Sequence, residues 1–87
     1  IIAAPRVTIR EKIDLITKMM KEMGRSNFRA LFNQGASRLE VVVTFLAMLE
    51  LVKRYRIQAR QEGLFSEIEI DRTEDWEEDE EIDIEFE

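Results

Sequence analysis

Apolar residues recur along the chain at two spacings, and the switch between them divides it. From Ile9 to Met23 the apolar positions Ile9, Ile13, Leu15, Ile16, Met19, Met20 and Met23 follow a period near 3.6, with charged residues mostly between them; this predicts an amphipathic helix. Thr8 and Glu11 form a capping box at its start, and Gly24 supplies its stop. Pro5 disfavours helix at the residue before it, so residues 1–7 read as an extended lead-in. A shorter helix is expected from Ser26, with Phe28, Leu31 and Phe32 as its apolar stripe and Asn33-Gln34-Gly35 as its end. Ser37 and Glu40 repeat the capping box ahead of a third helix, Leu39 through Lys53. Beyond it the period falls to 2. Tyr55–Gln61 and Leu64–Ile70 read as two strands, with Glu62-Gly63 as the turn between them. Three helices followed by a two-stranded β-hairpin are the order of a winged helix-turn-helix, an α+β fold occupying residues 8–70 with the hairpin as wing.

The third helix is apolar nearly all round. On a wheel at about 100° per residue, Val41, Val42, Phe45, Leu46, Met48, Leu49 and Val52 fill one arc, expected to be the core face. The opposite arc holds Glu40, Thr44, Glu50 and Arg54, together with Val43, Ala47 and Leu51 spaced i, i+4, i+8. Two readings of that surplus stripe remain open. It is covered by the lead-in or the tail, or it is a partner surface, since contiguous exposed apolar area marks interaction sites. A helix that reads the major groove needs Arg, Lys, Asn or Gln on its outer face, and two of the four polar groups here are carboxylates, which repel phosphate.

Composition narrows the chemistry. The 87 residues include no Cys, no His and one Pro, and the chain begins at Ile1, so it reads as a fragment forming one domain. Lacking His and Cys, it has only Asp, Glu, Lys and Tyr55 for acid–base work, and its carboxylates cluster where no pocket is expected, so no enzymatic role is expected. No metal or cofactor site is expected either. No apolar run reaches the roughly 20 residues that span a bilayer, and residues 1–5 lack the features of a signal peptide. A reducing cytoplasm fits this composition best. The net charge of −6 is unevenly spread: residues 1–70 hold 12 Lys and Arg against 8 Asp and Glu, while residues 71–87 hold 1 against 11. A mildly basic domain thus precedes an acidic tail.

In the wing, Arg56, Gln58 and Arg60 share one face of the first strand and Phe65, Glu67 and Glu69 one face of the second. This alternation predicts solvent-facing Arg–Glu pairs, each contributing about 0.2–1 kcal/mol. An isolated hairpin presents unpaired edges, so the wing either stays short and charged or takes a third strand from elsewhere, a partner's strand included. Arg56 and Arg60 are also candidates for phosphate contact, which leaves a winged-helix DNA-binding module as the alternative reading.

The run Ser37-Arg38-Leu39-Glu40-Val41-Val42-Val43-Thr44-Phe45-Leu46-Ala47-Met48-Leu49-Glu50-Leu51-Val52, followed by Gln61-Glu62-Gly63-Leu64-Phe65-Ser66-Glu67-Ile68, resembles the C-terminal domain of segregation and condensation protein A, ScpA, the bacterial kleisin family. The resemblance covers Thr8 through Ile70. It implies a winged-helix domain that binds the ATPase head of an SMC protein on the cap side, away from the coiled coil, and helps close the SMC–kleisin ring for chromosome condensation and segregation. It also implies a cytoplasmic, nucleoid-associated protein without a cofactor, which meets DNA only through the complex and has no membrane partner. ScpB would be bound through parts of the full-length protein that this sequence does not contain. The family's contact surface uses the wing and the third helix. By position this points to Ile57, Gln58, Ala59, Arg60 and Gln61 on the first strand and to Leu64, Phe65 and Ile68 after the turn; the wheel adds Val43, Leu46 and Ala47. One departure is visible, since the family's usual Gly-Asp-Ile after the wing phenylalanine is Ser66-Glu67-Ile68 here.

Residues 71–87 are expected to form a solvated, disordered acidic tail. It lacks the alternating oxygen ligands and central glycine of a calcium loop. Ile82-Asp83-Ile84-Glu85-Phe86-Glu87 nevertheless alternates like a strand, and the single tryptophan, Trp76, lies nearby. Docking of part of the tail on the basic domain or on a partner therefore stays open.

Overall fold

The computed structural model describes residues 8–73. Helix α1 spans Ile9–Met23 and begins as its capping signal predicts, with the Glu11 amide donating to Thr8 Oγ1 at 3.0 Å. It ends at Gly24, which adopts φ 72° and donates its amide to Met20 O. That left-handed conformation is open to glycine without the Cβ clash other residues meet, which is why the helix stops here.

The expected second helix is not a helix of that length. Arg25–Asn27 form a short strand, β1, and Phe28–Leu31 a single 3₁₀ turn capped by Asn27 Oδ1, which accepts from the Ala30 amide at 2.9 Å. The apolar spacing of Phe28, Leu31 and Phe32 fits one turn as well as two, and the pull of the neighbouring strand decides the backbone. Helix α2, the third helix of the sequence reading, spans Arg38–Lys53, with the Glu40 amide donating to Ser37 Oγ at 3.1 Å. At its C-terminus the amides of Tyr55 and Arg56 donate to Val52 O and Leu51 O at 3.0 and 2.9 Å. This is a Schellman closure with Tyr55, at φ 58°, in the position usually held by glycine.

Strand β2 spans Ile57–Arg60 and β3 spans Glu69–Arg72. They pair antiparallel, with Ile57 opposite Arg72 and Arg60 opposite Glu69, so residues 61–68 form a longer loop where a two-residue turn was expected. The register also carries the last strand past Ile70, taking in Asp71 and Arg72, which the sequence reading grouped with the acidic tail. The third strand comes from this chain. β1 pairs with β3, Ser26 lying opposite Ile70, and the sheet order is β1-β3-β2. A segment read as helix thus completes the wing's sheet and, among the described residues, leaves the outer side of β2 unpaired.

The core lies between the two helices and one face of the sheet. Ile13, Ile16 and Met20 of α1 meet Ala47, Met48 and Leu51 of α2 over Leu31, Ile57 and Ile70. Alanine at 47 lets the helices approach closely. Lys12 is buried beside a partly buried Glu40: its Nζ lies 2.8 Å from Glu40 Oε1 and 3.5 Å from Leu31 O, which ties α1 to the start of α2 and to the 3₁₀ turn. The expected lead-in, residues 1–7, and the expected tail from residue 74 onward lie outside the described residues.

Candidate partner-binding surface

Burial in α2 overturns most of the wheel, although Met48, expected on the core face, is core. Val43, Ala47 and Leu51, taken as the surplus outer stripe, are core, with Ala47 fully buried. Val42, Phe45 and Leu49, taken as core, are 47%, 39% and 44% exposed, and Leu39 also faces outward. Two polar residues explain the reversal. Thr44 is buried because its hydroxyl donates to Glu40 O one turn earlier, at 2.7 Å, and needs no water. Glu50 is buried because Arg54, one turn later, reaches back to its carboxylate at 3.1 Å. Both residues satisfy themselves within the helix, so neither marks the solvent side.

The outward face of α2 is therefore apolar: Leu39, Val42, Phe45 and Leu49 lie on it, with Leu46 half-buried alongside. It continues beyond the helix. The Phe45 ring meets Phe28 of the 3₁₀ turn edge-on at 5.9 Å, and Phe28 meets Phe32 at 5.1 Å. Phe28 and Arg29 in turn line one groove with Phe65 and Ile68 of the wing loop.

The loop is held in a shape that pushes its apolar residues outward. Gln61 Nε2 donates to Leu64 O at 3.1 Å and to Ser66 O at 2.9 Å, and the Ser66 amide donates to Gly63 O at 3.0 Å. With these backbone groups satisfied inside the loop, Leu64 and Phe65 project into solvent, 83% and 97% exposed. Glu67 anchors the loop, accepting from the Arg29 amide at 3.3 Å and pairing with Arg29 Nε at 3.1 Å. Ser66, where the resemblance implies a glycine, is not among the described residues with positive φ.

Of the positions singled out from the sequence, Leu64 and Phe65 form the most exposed part of this surface, and Gln58, Ala59, Arg60 and Gln61 are exposed on or beside β2. Ile68 is half-buried against the core, whereas Ile57 joins Val43 and Ala47 in the interior. The sequence reading missed Leu39, Val42, Phe45, Leu49 and Phe28. Their signal was the pair of self-satisfying polar residues, Thr44 after Glu40 and Glu50 before Arg54. Of the Arg–Glu pairing expected on the wing's solvent face, Arg60 takes part, whereas Arg56 is buried. Arg60 lies 3.5 Å from Glu69 but makes its closer contact, 2.9 Å, with Asp71, which Arg25 of β1 also contacts at 2.9 Å. Burial pushes the Asp71 carboxyl up, but hydrogen bonds and charge from Arg25 and Arg60 outweigh it and hold the pKa below its ordinary value. Among the described residues no cluster of acidic side chains is arranged to hold a metal, and no helix is long and apolar enough to cross a membrane.

The geometry is thus an apolar strip running from a wing tip across an aromatic turn to a helix face, on a small α+β body. Residues 2–73 match the family model described as segregation and condensation protein ScpA. The chain belongs to the ScpA family. Segregation and condensation protein A of Brevibacillus brevis is 38% identical over 67 residues, covering 77% of this chain and 26% of the relative. The protein of the same name from Enterococcus faecalis is 38% identical over 81 residues, covering 90% of this chain and 30% of the relative. The chain therefore spans about a quarter to a third of the length of the ScpA proteins it matches. In three dimensions it resembles a chain of the crystal structure described as the SmcHead bound to the C-winged helix domain of ScpA. The TM-score is 0.60 at 24% identity, over 75% of this chain and 93% of that one. This likeness carries the fold: a winged helix, with two α-helices and a three-stranded sheet where three helices and a two-stranded wing were expected.

Proposed function

We propose that this chain is the C-terminal domain of a kleisin and that it grips an SMC ATPase head on the cap side, helping to close the SMC–kleisin ring that condenses and segregates chromosomes. The continuous apolar strip through Leu64, Phe65, Phe28, Phe45, Val42 and Leu49 carries this reading, because side chains of this size left in water on so small a body mark a surface covered by protein. ScpA family membership and the likeness to a winged helix of ScpA solved on an SMC head support it. Leu64 and Phe65 act as anchors, and Phe45, Leu46 and Leu49 form the floor. Gln58, Ala59, Arg60 and Gln61 flank them, and Ile68 supports the wing loop. Val43, Ala47 and Ile57 hold the surface from beneath and touch the partner only if the core opens. In this role the domain is not an enzyme and has no cofactor. It works in the cytoplasm at the nucleoid, meets DNA only through the complex, and leaves ScpB to other parts of the full-length protein.

Calorimetric titration of the cognate SMC head with the chain tests the reading. The double substitution Leu64→Ser, Phe65→Ser should weaken binding at least about tenfold while the circular dichroism spectrum stays unchanged, since both side chains lie outside the core. A wild-type chain that does not bind the head would overturn the assignment. Unaltered affinity in the double variant would move the contact off the wing.

A further inference from the structure

Among the described residues no strand pairs with the outer edge of β2, a second surface distinct from the apolar strip. The Thr73 amide donates to Arg56 O at 3.1 Å, so the antiparallel alternation makes Gln58/Asp71 and Arg60/Glu69 the hydrogen-bonded pairs that follow. The amide and carbonyl groups of Ile57 and Ala59 therefore point away from β3. A groove runs along them, walled by Val52, Tyr55, Gln58, Arg60 and Thr73. Ala59 shares the core face of the sheet with Ile57 and Ile70 yet is exposed, so at this edge the apolar face ends in a methyl group with room beside it.

Thr73, the last described residue, lines this groove and is fixed by its hydroxyl to Tyr55 O at 2.6 Å. The acidic stretch thus starts inside the groove wall. We propose that residues Ile82-Asp83-Ile84-Glu85-Phe86 of the same chain pair along the outer edge of β2 as a fourth strand. Reach allows it: the intervening eight residues, 74–81, extend up to roughly 26 Å, and a strand beyond β2 lies two spacings from β3, roughly 10 Å. Charge favours it, because residues 74–87 carry ten Asp and Glu and no Lys or Arg. The one charged side chain lining the groove is a cation, Arg60. The alternation suits the site, with Ile82, Ile84 and Phe86 on one face to extend the apolar side beyond Ala59 and Asp83 and Glu85 on the other. Such a strand covers an edge that would otherwise template pairing between chains.

Amide exchange measured by NMR on the full chain tests this, with Ile82→Ser, Ile84→Ser, Phe86→Ser as the comparison. In the wild type the Ile57 and Ala59 amides should exchange about tenfold or more slowly than in the triple variant, with Ile70 exchange unchanged as the control for the fold. Equal exchange at Ile57 and Ala59 in the two proteins would overturn the proposal. So would protection that disappears on about tenfold dilution, which would assign the edge to another copy's tail.

Discussion

Asp71 is the residue on which the sheet's charges converge. One carboxylate oxygen takes Arg25 from β1 and the other takes Arg60 from β2, so a single side chain on the central strand ties both of its neighbours. Its pKa is lowered on folding, so the contacts stabilise the fold fully above the unfolded carboxylate value and are lost as pH falls through the lower folded value. Asp71→Asn should cost under about 1 kcal/mol at neutral pH, because the arginines are largely solvated. Urea titrations should show the difference from wild type constant above about pH 5 and vanishing as the pH falls below the ordinary carboxylate value of 3.8. The Lys12–Glu40 pair differs because it is screened from water. Lys12→Ala leaves a partly buried Glu40 without its cation and should cost about 3 kcal/mol, while Lys12→Met with Glu40→Leu should recover most of that loss, since a buried pair is replaceable by apolar packing. A thermal-melt double-mutant cycle over these two positions gives the comparison.

At the scale of elements, α2 shows where sequence reasoning succeeds and where it stops. Its start was legible from Ser37 and Glu40, because a side-chain cap is a local event. Its orientation was not legible. Eleven of its sixteen residues are apolar, so only the few polar positions could indicate the solvent side, and the two that mattered are satisfied within the helix. The reversal has a measurable consequence: Leu51→Ala should destabilise by about 2–5 kcal/mol through a core cavity, and Leu49→Ala, on the outer face, by less than about 1 kcal/mol. Denaturant midpoints of the two variants decide between the faces, and equal losses would restore the wheel. The helix end offers a second test, since Tyr55 holds a left-handed conformation that costs an L-residue about 1–2 kcal/mol. Tyr55→Gly should therefore raise stability by up to about 1 kcal/mol after glycine's own entropic cost. β1 was illegible for a related reason. Three residues, Arg25, Ser26 and Asn27, have no apolar period, and they become a strand only because β3 offers an edge. The wing's alternation was legible, but the Glu62-Gly63 turn signal led to a tight hairpin, and the loop held by Gln61 extends the connection to eight residues.

Over the whole molecule the placement of charge and apolar surface decides what the winged helix can bind. In a DNA reader the outer face of the second helix of the motif carries groups that hydrogen-bond to base edges. Here that face presents Leu39, Val42, Phe45 and Leu49, and docking it into a groove would bury apolar groups against polar base edges with no bonds in return. Long-range electrostatics point the same way. Over residues 8–73 there are 12 Lys and Arg against 9 Asp and Glu, a weak excess of three, and several of those cations are committed to carboxylates within the fold. The ten carboxylates of residues 74–87 more than cancel that excess and, with Arg6 counted, bring the chain to −6. Phosphate-driven association grows as salt falls, so low ionic strength is where any residual affinity must show. Titrating a labelled duplex with the full chain at about 20 mM salt, near the limit where surface charges act over roughly 20 Å, should leave the fluorescence anisotropy flat. Binding that appears there and weakens steeply with added salt would mean that Arg25, Arg29, Arg60 and their neighbours form a phosphate track, and that the apolar strip is not the domain's only recognition surface.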